Sequence, residues 1–171
     1  MKLKPTYKMP FKRRRLGKTD YKTRLSLLKS KKPRLTVRRS LKYIRVQVIE
    51  FDKLGDKTLV SASSSDLKKF GWQFAYDNLP AAYLTGLLAG KKAVEKGIKE
   101  VIVDIGLYSS TKGNRIYAAI KGASDSGLKV AVDESIFPPE DRIKGLHIAK
   151  YLEKFKLLPE KFEEIKKKVG K

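Results

Sequence analysis

Arg34-Leu35-Thr36-Val37-Arg38-Arg39-Ser40-Leu41-Lys42-Tyr43-Ile44-Arg45-Val46-Gln47-Val48-Ile49-Glu50-Phe51 changes the period of the chain to two. Leu35, Val37 and Arg39 alternate with Thr36, Arg38 and Ser40. After a turn near Leu41-Lys42, Ile44, Val46 and Val48 share one face, and Tyr43, Arg45, Gln47, Ile49 and Phe51 share the other. Asp52 to Asp56, with Gly55, reads as a second turn, and Thr58 to Ser63 as a third strand. Three consecutive strands on short turns predict an antiparallel meander with one face for a core and one for a basic, aromatic display.

Downstream the period lengthens. Residues 64–77 resolve into no clear element, although Phe70-Gly71-Trp72 marks short structure. Asn78 is placed to cap a helix with Pro80 in its first turn. The small apolar run from Ala81 through Leu84, Leu87, Leu88 and Val94 then ends at Gly97. Gly86 and Gly90, four apart, weaken that helix unless its backbone packs closely, here expected against the sheet. Val101 to Ile105 reads as a strand, Asn114 to Ser126 as a helix stopped by Gly127, and Leu128 to Val132 as another strand. This βαβ unit makes its two strands parallel, so the sheet is mixed. From Pro138-Pro139 onward the chain reads as helical, with Tyr151, Leu152, Phe155 and Leu158 at helical spacing and Lys166-Lys167-Lys168 frayed. The expected class is α/β, a meander plus a βαβ unit packed with helices. It divides into a basic extension over 1–33, a core over 34–137 and a helical tail over 138–171.

Upstream, the charge is lopsided. The 171 residues carry a net charge of +22, and residues 1–42 hold 17 Lys plus Arg against one acid, Asp20. Residues 1–18 contain Pro5, Pro10 and Gly17 with no period, and read as an extended arm ordered only by its partner. Thr19-Asp20 can start a helix on which Tyr21, Leu25 and Leu28 form an apolar stripe facing a core, until Pro33 closes it off. A basic arm on a small basic body implies a polyanion, and arginine beside tyrosine and phenylalanine favours RNA.

Composition excludes several classes of chemistry. There is no cysteine and one histidine, His147, which rules out disulfides, thiolate zinc sites and multi-histidine metal sites. No run approaches the roughly 20 apolar residues of a membrane-spanning helix, and the first residues lack the apolar run of a secretory signal. Leu3, Tyr7, Met9, Phe11 and Leu16 are too scattered for a membrane-surface helix. A soluble, intracellular protein without membrane partner, cofactor or small-molecule substrate is expected.

Lys12-Arg13-Arg14-Arg15, flanked by Tyr7, Lys8 and Phe11, is the strongest candidate contact. Guanidinium groups fork onto phosphate and stack on bases, and rings offer platforms for unstacked bases. A solvated tail or a nuclear address is the plainer reading of such a run. Lys18, Lys22, Arg24, Lys31, Lys32 and Arg34 extend the track, and Arg38, Arg39, Lys42, Tyr43 and Arg45 continue it across the first two strands. The loop Gly106 to Gly113 runs from a strand to a helix, where an RNA phosphate could sit. It is equally readable as a plain connection, and its Lys112-Gly113 order does not match a nucleotide P-loop. A rival reading is a metal-dependent ribonuclease with a ribonuclease H-like sheet, using Glu50 or Asp52, Asp104 and Asp133-Glu134. The first strand offers Leu35 and Val37 where that chemistry wants a carboxylate, and nothing makes His147 part of a triad. No catalytic residue is expected.

Several blocks together resemble the 5S rRNA-binding ribosomal large-subunit protein eighteen family, in its archaeal and eukaryotic-like branch. They are Tyr7-Lys8 with Arg13-Arg14-Arg15; Thr19-Asp20-Tyr21 with Arg24-Leu25; Leu27-Leu28-Lys29-Ser30 with Lys32-Pro33-Arg34-Leu35; Asn78-Leu79-Pro80-Ala81-Ala82-Tyr83-Leu84-Thr85-Gly86-Leu87-Leu88-Ala89-Gly90; Asp104-Ile105-Gly106-Leu107; and Asp141-Arg142-Ile143-Lys144-Gly145 with His147-Ile148-Ala149. The central block is the most specific, and the blocks span nearly the whole chain. The resemblance implies a non-enzymatic component of the central protuberance, working in the cytoplasm within the ribosome. Its implied partners are 5S rRNA, large-subunit rRNA, and large-subunit ribosomal protein five with other central-protuberance proteins. It also implies a mixed sheet preceded by a basic extension. RNA contacts carry onto Arg13, Arg14, Arg15, Lys22, Arg24, Lys32, Arg34, Arg38 and Arg39. The Lys-rich tail after Leu158 matches no family block and carries no role.

Overall fold

Alternating apolar residues build three strands, β1 (Arg34–Arg39), β2 (Ile44–Glu50) and β3 (Lys57–Ser63). They pair antiparallel with Leu35 opposite Val48 and Val37 opposite Val46, then Val46 opposite Ala62 and Val48 opposite Val60. The computed structural model describes residues 6–170; residues 1–5, including Leu3 and Pro5 of the expected arm, and residue 171 lie outside it. Two further strands, β4 (Glu100–Asp104) and β5 (Lys129–Val130), add in parallel, and the order across the mixed sheet is β3-β2-β1-β4-β5. β1 is therefore the middle strand and is buried from Arg34 to Val37 on both faces. The last strand is shorter than the expected Leu128–Val132, because the Val132 N–H turns back to the Val130 carbonyl at 3.1 Å and leaves the ladder.

The helix after residue 78 forms as its cap dictates. Asn78 Oδ1 accepts the Ala81 N–H at 2.9 Å, Pro80 sits in the first turn, and α3 (Leu79–Glu95) is followed by Gly97 at φ +77°. Gly86 and Gly90 serve a different neighbour from the expected sheet. A Cβ on Gly86 would overlap the carbonyl oxygen of Ala119 and one on Gly90 the Ser126 hydroxyl, both around α4 (Arg115–Asp125). Gly122 of α4 presses in turn on the Tyr83 carbonyl. With one helix so close on one side, every residue from Leu79 to Gly90 is buried. Residues 64–77, unreadable from sequence, hold a 3-10 turn over Ser64–Phe70 with a Ser63/Asp66 capping box. Buried Leu67 and Trp72 lie on either side of Gly71 at φ +91°.

The tail is helical but broken. α5 (Glu140–Ile143) stops at Lys144 and α6 (Leu146–Tyr151) at Leu152, whose backbone is extended, so the expected run through Tyr151 and Phe155 is interrupted and Tyr151 stands in solvent. A fresh helix, α7 (Leu158–Gly170), follows. Its Leu158, Phe162, Ile165 and Val169 are buried, with the Phe162 ring 5.5 Å from that of Tyr83. That stripe holds the helix through Lys166-Lys167-Lys168, which does not fray as expected.

At the other end, the expected structureless arm contains one helical turn, α1 (Lys12–Arg15), and then α2 (Tyr21–Lys29), capped by Asp20 Oδ1 accepting from the Lys22 N–H at 2.9 Å. The expected stripe Tyr21, Leu25 and Leu28 does not face a core: Leu25 is 60% exposed, and the sheltered side carries Tyr21, Arg24, Leu27 and Leu28. On that sheltered side an ion pair made by Arg24 ties the helix to Asp56, beside the partly buried Leu27 and Leu28.

Candidate nucleic-acid interface

Five charged side chains form a ladder that joins α2 to the sheet. Arg24 Nη2 donates to both oxygens of Asp56, at 2.8 Å each. Arg34 Nη2 donates to Asp56 Oδ2 at 2.6 Å and its Nη1 to Asp104 Oδ2 at 2.9 Å, and Arg38 Nη2 donates to Asp104 Oδ1 at 2.9 Å. Burial pushes the Asp56 carboxyl up, but the hydrogen bonds from Arg24 and Arg34 outweigh it and hold the group below the usual carboxylate range. The ladder exists because β1 runs between β2 and β4, and because the turn before β3 swings Asp56 over the sheet. Asp104 also accepts the Gly106 N–H at 2.9 Å, which fixes where the chain leaves β4.

This ladder sorts the candidate RNA contacts. Arg34, one of the expected RNA contacts, is 3% exposed and its guanidinium meets two carboxylates, so in this structure it stands as an internal strut. Arg24 and Arg38 are half-buried and paired to Asp56 and Asp104, and Lys32 Nζ pairs with Glu100 at 2.6 Å. Hydrogen bonding from Lys32 holds the Glu100 carboxyl below its ordinary value. The remaining candidate cations are solvent-facing. Lys8, Lys12, Arg13, Arg14, Arg15, Lys18, Lys22, Lys31, Arg39, Lys42 and Arg45 are exposed, and none has a carboxylate partner among the described residues. Tyr7, Phe11 and Tyr43 are exposed as well.

The arm lies folded against its own helix. The rings of Phe11 and Tyr21 are 5.2 Å apart, and Arg13 Nε donates to the Thr19 hydroxyl at 2.9 Å. Between arm and sheet runs a groove of about 200 Å³ lined by five bases, among them Arg13, Lys18 and Arg38, and by the three carboxylates Asp20, Asp56 and Asp104. A second depression, about 540 Å³, lies over the sheet face with Arg38, Arg39, Tyr43 and Arg45 on its walls. Arg38 and Gln47 line both, so arm and sheet share one cationic surface, as alternation in β2 implied. Exposed cations beside exposed rings suit phosphate contact and base stacking.

Several participants were missed in the sequence. Asp56 reads there as one more turn residue, and only the tertiary contact makes it an anchor. Arg115 was passed over too, while Tyr108 lies in the Gly106 to Gly113 loop and Arg142 in the block Asp141 to Gly145, neither singled out there as a contact. The Tyr108 hydroxyl donates to the Arg39 carbonyl at 2.7 Å, and the Arg39 guanidinium lies 5.3 Å from the Tyr108 ring centre. His147 is exposed on α6, and slight burial together with Arg142 lowers its pKa. Asp104, offered to a metal in the ribonuclease reading, is taken by two arginines. Among the described residues no three His, Asp or Glu side chains gather to hold a metal ion, and no helix is long and apolar enough to cross a membrane.

Residues 5–100 and 93–133 match the family described as ribosomal large subunit proteins 60S L5 and 50S L18. The chain is also 54% identical over 148 residues to the large ribosomal subunit protein uL18 of Korarchaeum cryptofilum (strain OPF8), covering 86% of this chain and 76% of that relative. With a match over most of its length and more than half of the aligned residues identical, the chain belongs to the L5/L18 family of large-subunit ribosomal proteins.

Proposed function

We propose that this chain binds 5S rRNA and helps attach it to the central protuberance of the large subunit, next to large-subunit ribosomal protein five and its neighbours. As a ribosomal protein of this family it is a structural component and not an enzyme, which sets the ribonuclease alternative aside. The observation that carries the proposal is the division among its cations. Four of the candidate contacts, Arg24, Lys32, Arg34 and Arg38, are held in internal ion pairs, while the Lys12–Arg15 turn, Lys18, Lys22, Arg39, Lys42 and Arg45 are exposed with no carboxylate partner among the described residues, and Arg13, Lys18, Arg39 and Arg45 line the grooves of arm and sheet. Residues 1–33 act as the RNA-binding extension, 34–137 as the supporting core, and 138–171 as a helical tail. Phosphate contacts supply affinity, and the exposed rings of Tyr7, Phe11 and Tyr43 read unstacked bases or groove shape.

Competition decides it. Labelled 5S rRNA bound to the full chain should resist excess bulk transfer RNA, and its log affinity should fall linearly with log salt, by about 0.7–0.9 per phosphate contact. Equal displacement by transfer RNA would reduce the protein to a generic polyanion binder and overturn the proposal.

A further inference from the structure

A larger groove opens on the other side of Arg39, away from the sheet face. It holds about 630 Å³ between the loop after β4, the start of α4 and the turn from α5 into α6. Three arginines line it, Arg39, Arg115 and Arg142, and among the described residues no carboxylate does. Its floor is apolar, made by Leu79, Ile116 and Ile148.

Arg39 and Arg142 carry no ion pair among the described residues, and Arg115 keeps one terminal nitrogen outside its pair with Asp77. Arg39 lies over the Tyr108 ring, and the Tyr108 hydroxyl latches the loop to the end of β1. Arg115 Nη1 is held by the Asp77 carbonyl at 2.7 Å and by the Asp77 carboxylate. Its other terminal nitrogen has no hydrogen-bond partner among the described residues. Arg142 is exposed and has no ion pair among them. The loop itself is held in shape: Gly113, at φ +72°, donates its N–H to the Ile136 carbonyl at 2.9 Å, and the Ser110 and Tyr117 hydroxyls are 2.5 Å apart. Ser109 and Thr111 remain exposed on the groove wall.

Guanidinium forks suit phosphate oxygens, and an apolar floor suits a sugar or base edge between them. An acidic peptide would also meet the arginines. Continuity favours a nucleotide chain, because Arg39 lines both this groove and the depression over Tyr43 and Arg45. A strand crossing the sheet face can round the end of β1 at Arg39 and enter here without leaving cationic surface.

We propose that this groove takes a stretch of RNA backbone, with Arg115 and Arg142 gripping phosphates and Ser109 and Thr111 donating to them. The footprint then extends beyond the arm and sheet onto the helical side of the molecule. The inference rests on the RNA-binding reading but is tested separately from the identity of the RNA.

The chain has no cysteine, so Arg142→Cys and Ser109→Cys each give a single attachment point for an iron chelate that generates hydroxyl radicals. Labelled full-length protein is assembled both with 5S rRNA alone and into large ribosomal subunits. Strand scission from both positions is expected, and its location tells the source: in 5S rRNA, or in large-subunit rRNA. If 5S rRNA proves not to bind the protein at all, scission of large-subunit rRNA still supports the groove. In parallel, Arg142→Glu in the otherwise intact chain should weaken binding of the cleaved RNA several-fold and flatten its salt slope by about one. No scission of either RNA, or radical cleavage confined to a neighbouring ribosomal protein, together with an unchanged salt slope for Arg142→Glu, would overturn the proposal.

Discussion

Arg34 Nη1 lies 2.9 Å from Asp104 Oδ2, and both side chains are buried where β1 and β4 run parallel, two residues along from each other in the Thr36–Asp104 register. A guanidinium in the middle strand of a sheet is tolerable only with its counter-charges in place. Asp104→Ala should therefore destabilise the fold by about 3 kcal/mol, near the lower limit for breaking a buried pair because Asp56 still holds the second nitrogen. Urea unfolding measures this. A loss below about 1 kcal/mol would show that water satisfies Arg34 instead.

The same ladder has a pH signature at Asp56. Its carboxyl is held below the ordinary value, so the stabilisation is complete above the unfolded carboxylate pKa of about 3.9 and is lost as pH falls through the lower, folded value. Amide exchange of α2 should stay protected from pH 8 down to pH 5 and open only below about pH 4. In Asp56→Asn the protection should be weak throughout that range. Equal protection in the variant would mean that Arg24 does not tether the helix.

Helix contact at Gly86 tolerates no added atom. Gly86→Ala places a methyl group into the Ala119 carbonyl, a backbone atom that cannot rotate aside, and should cost about 3 kcal/mol or more. Gly55→Ala, in open space, should change stability by less than about 0.5 kcal/mol. Thermal unfolding of the pair separates a packing effect from a general glycine effect.

Removal of arm charge should act on binding alone. No residue of α1 is buried, so Arg13, Arg14 and Arg15 changed together to Gln should leave the melting temperature in place. The slope of log affinity for 5S rRNA against log salt should drop by about 2 to 3. An unchanged slope would mean that the arm does not touch phosphate.

The tail is expected to be part of the folded body. Phe162 is fully buried against Tyr83, and Phe162→Ala should cost about 3–5 kcal/mol in denaturant unfolding. A near-neutral result would make α7 an appendage.

The meander, the cap at Asn78, the helix stop at Gly127 and the parallel βαβ pair were all legible, because each follows from neighbours a few residues apart: alternation, a capping side chain, a left-handed glycine. The basic, ring-bearing face of β2 was legible for the same reason. What failed was whatever depended on a distant partner. Leu25 has the spacing of a core residue yet faces water, while the Arg24–Asp56 pair lies on the sheltered side of α2. Gly86 signalled close approach but not to what, and the lysine run near the end looked frayed until Val169 was seen packed in the core.

Charge separates the two levels most clearly. The amino-acid order by itself determined that this is a cationic protein with its excess at one end, on an α/β body, because net charge and short-range periodicity need no fold to be counted. Only the tertiary structure decided which cations are free for a partner. Arg34 and Arg39 stand five residues apart on one strand, but Asp56 and Asp104 reach the first and, among the described residues, no carboxylate reaches the second. Coulomb attraction depends on distance in space, and the fold sets that distance.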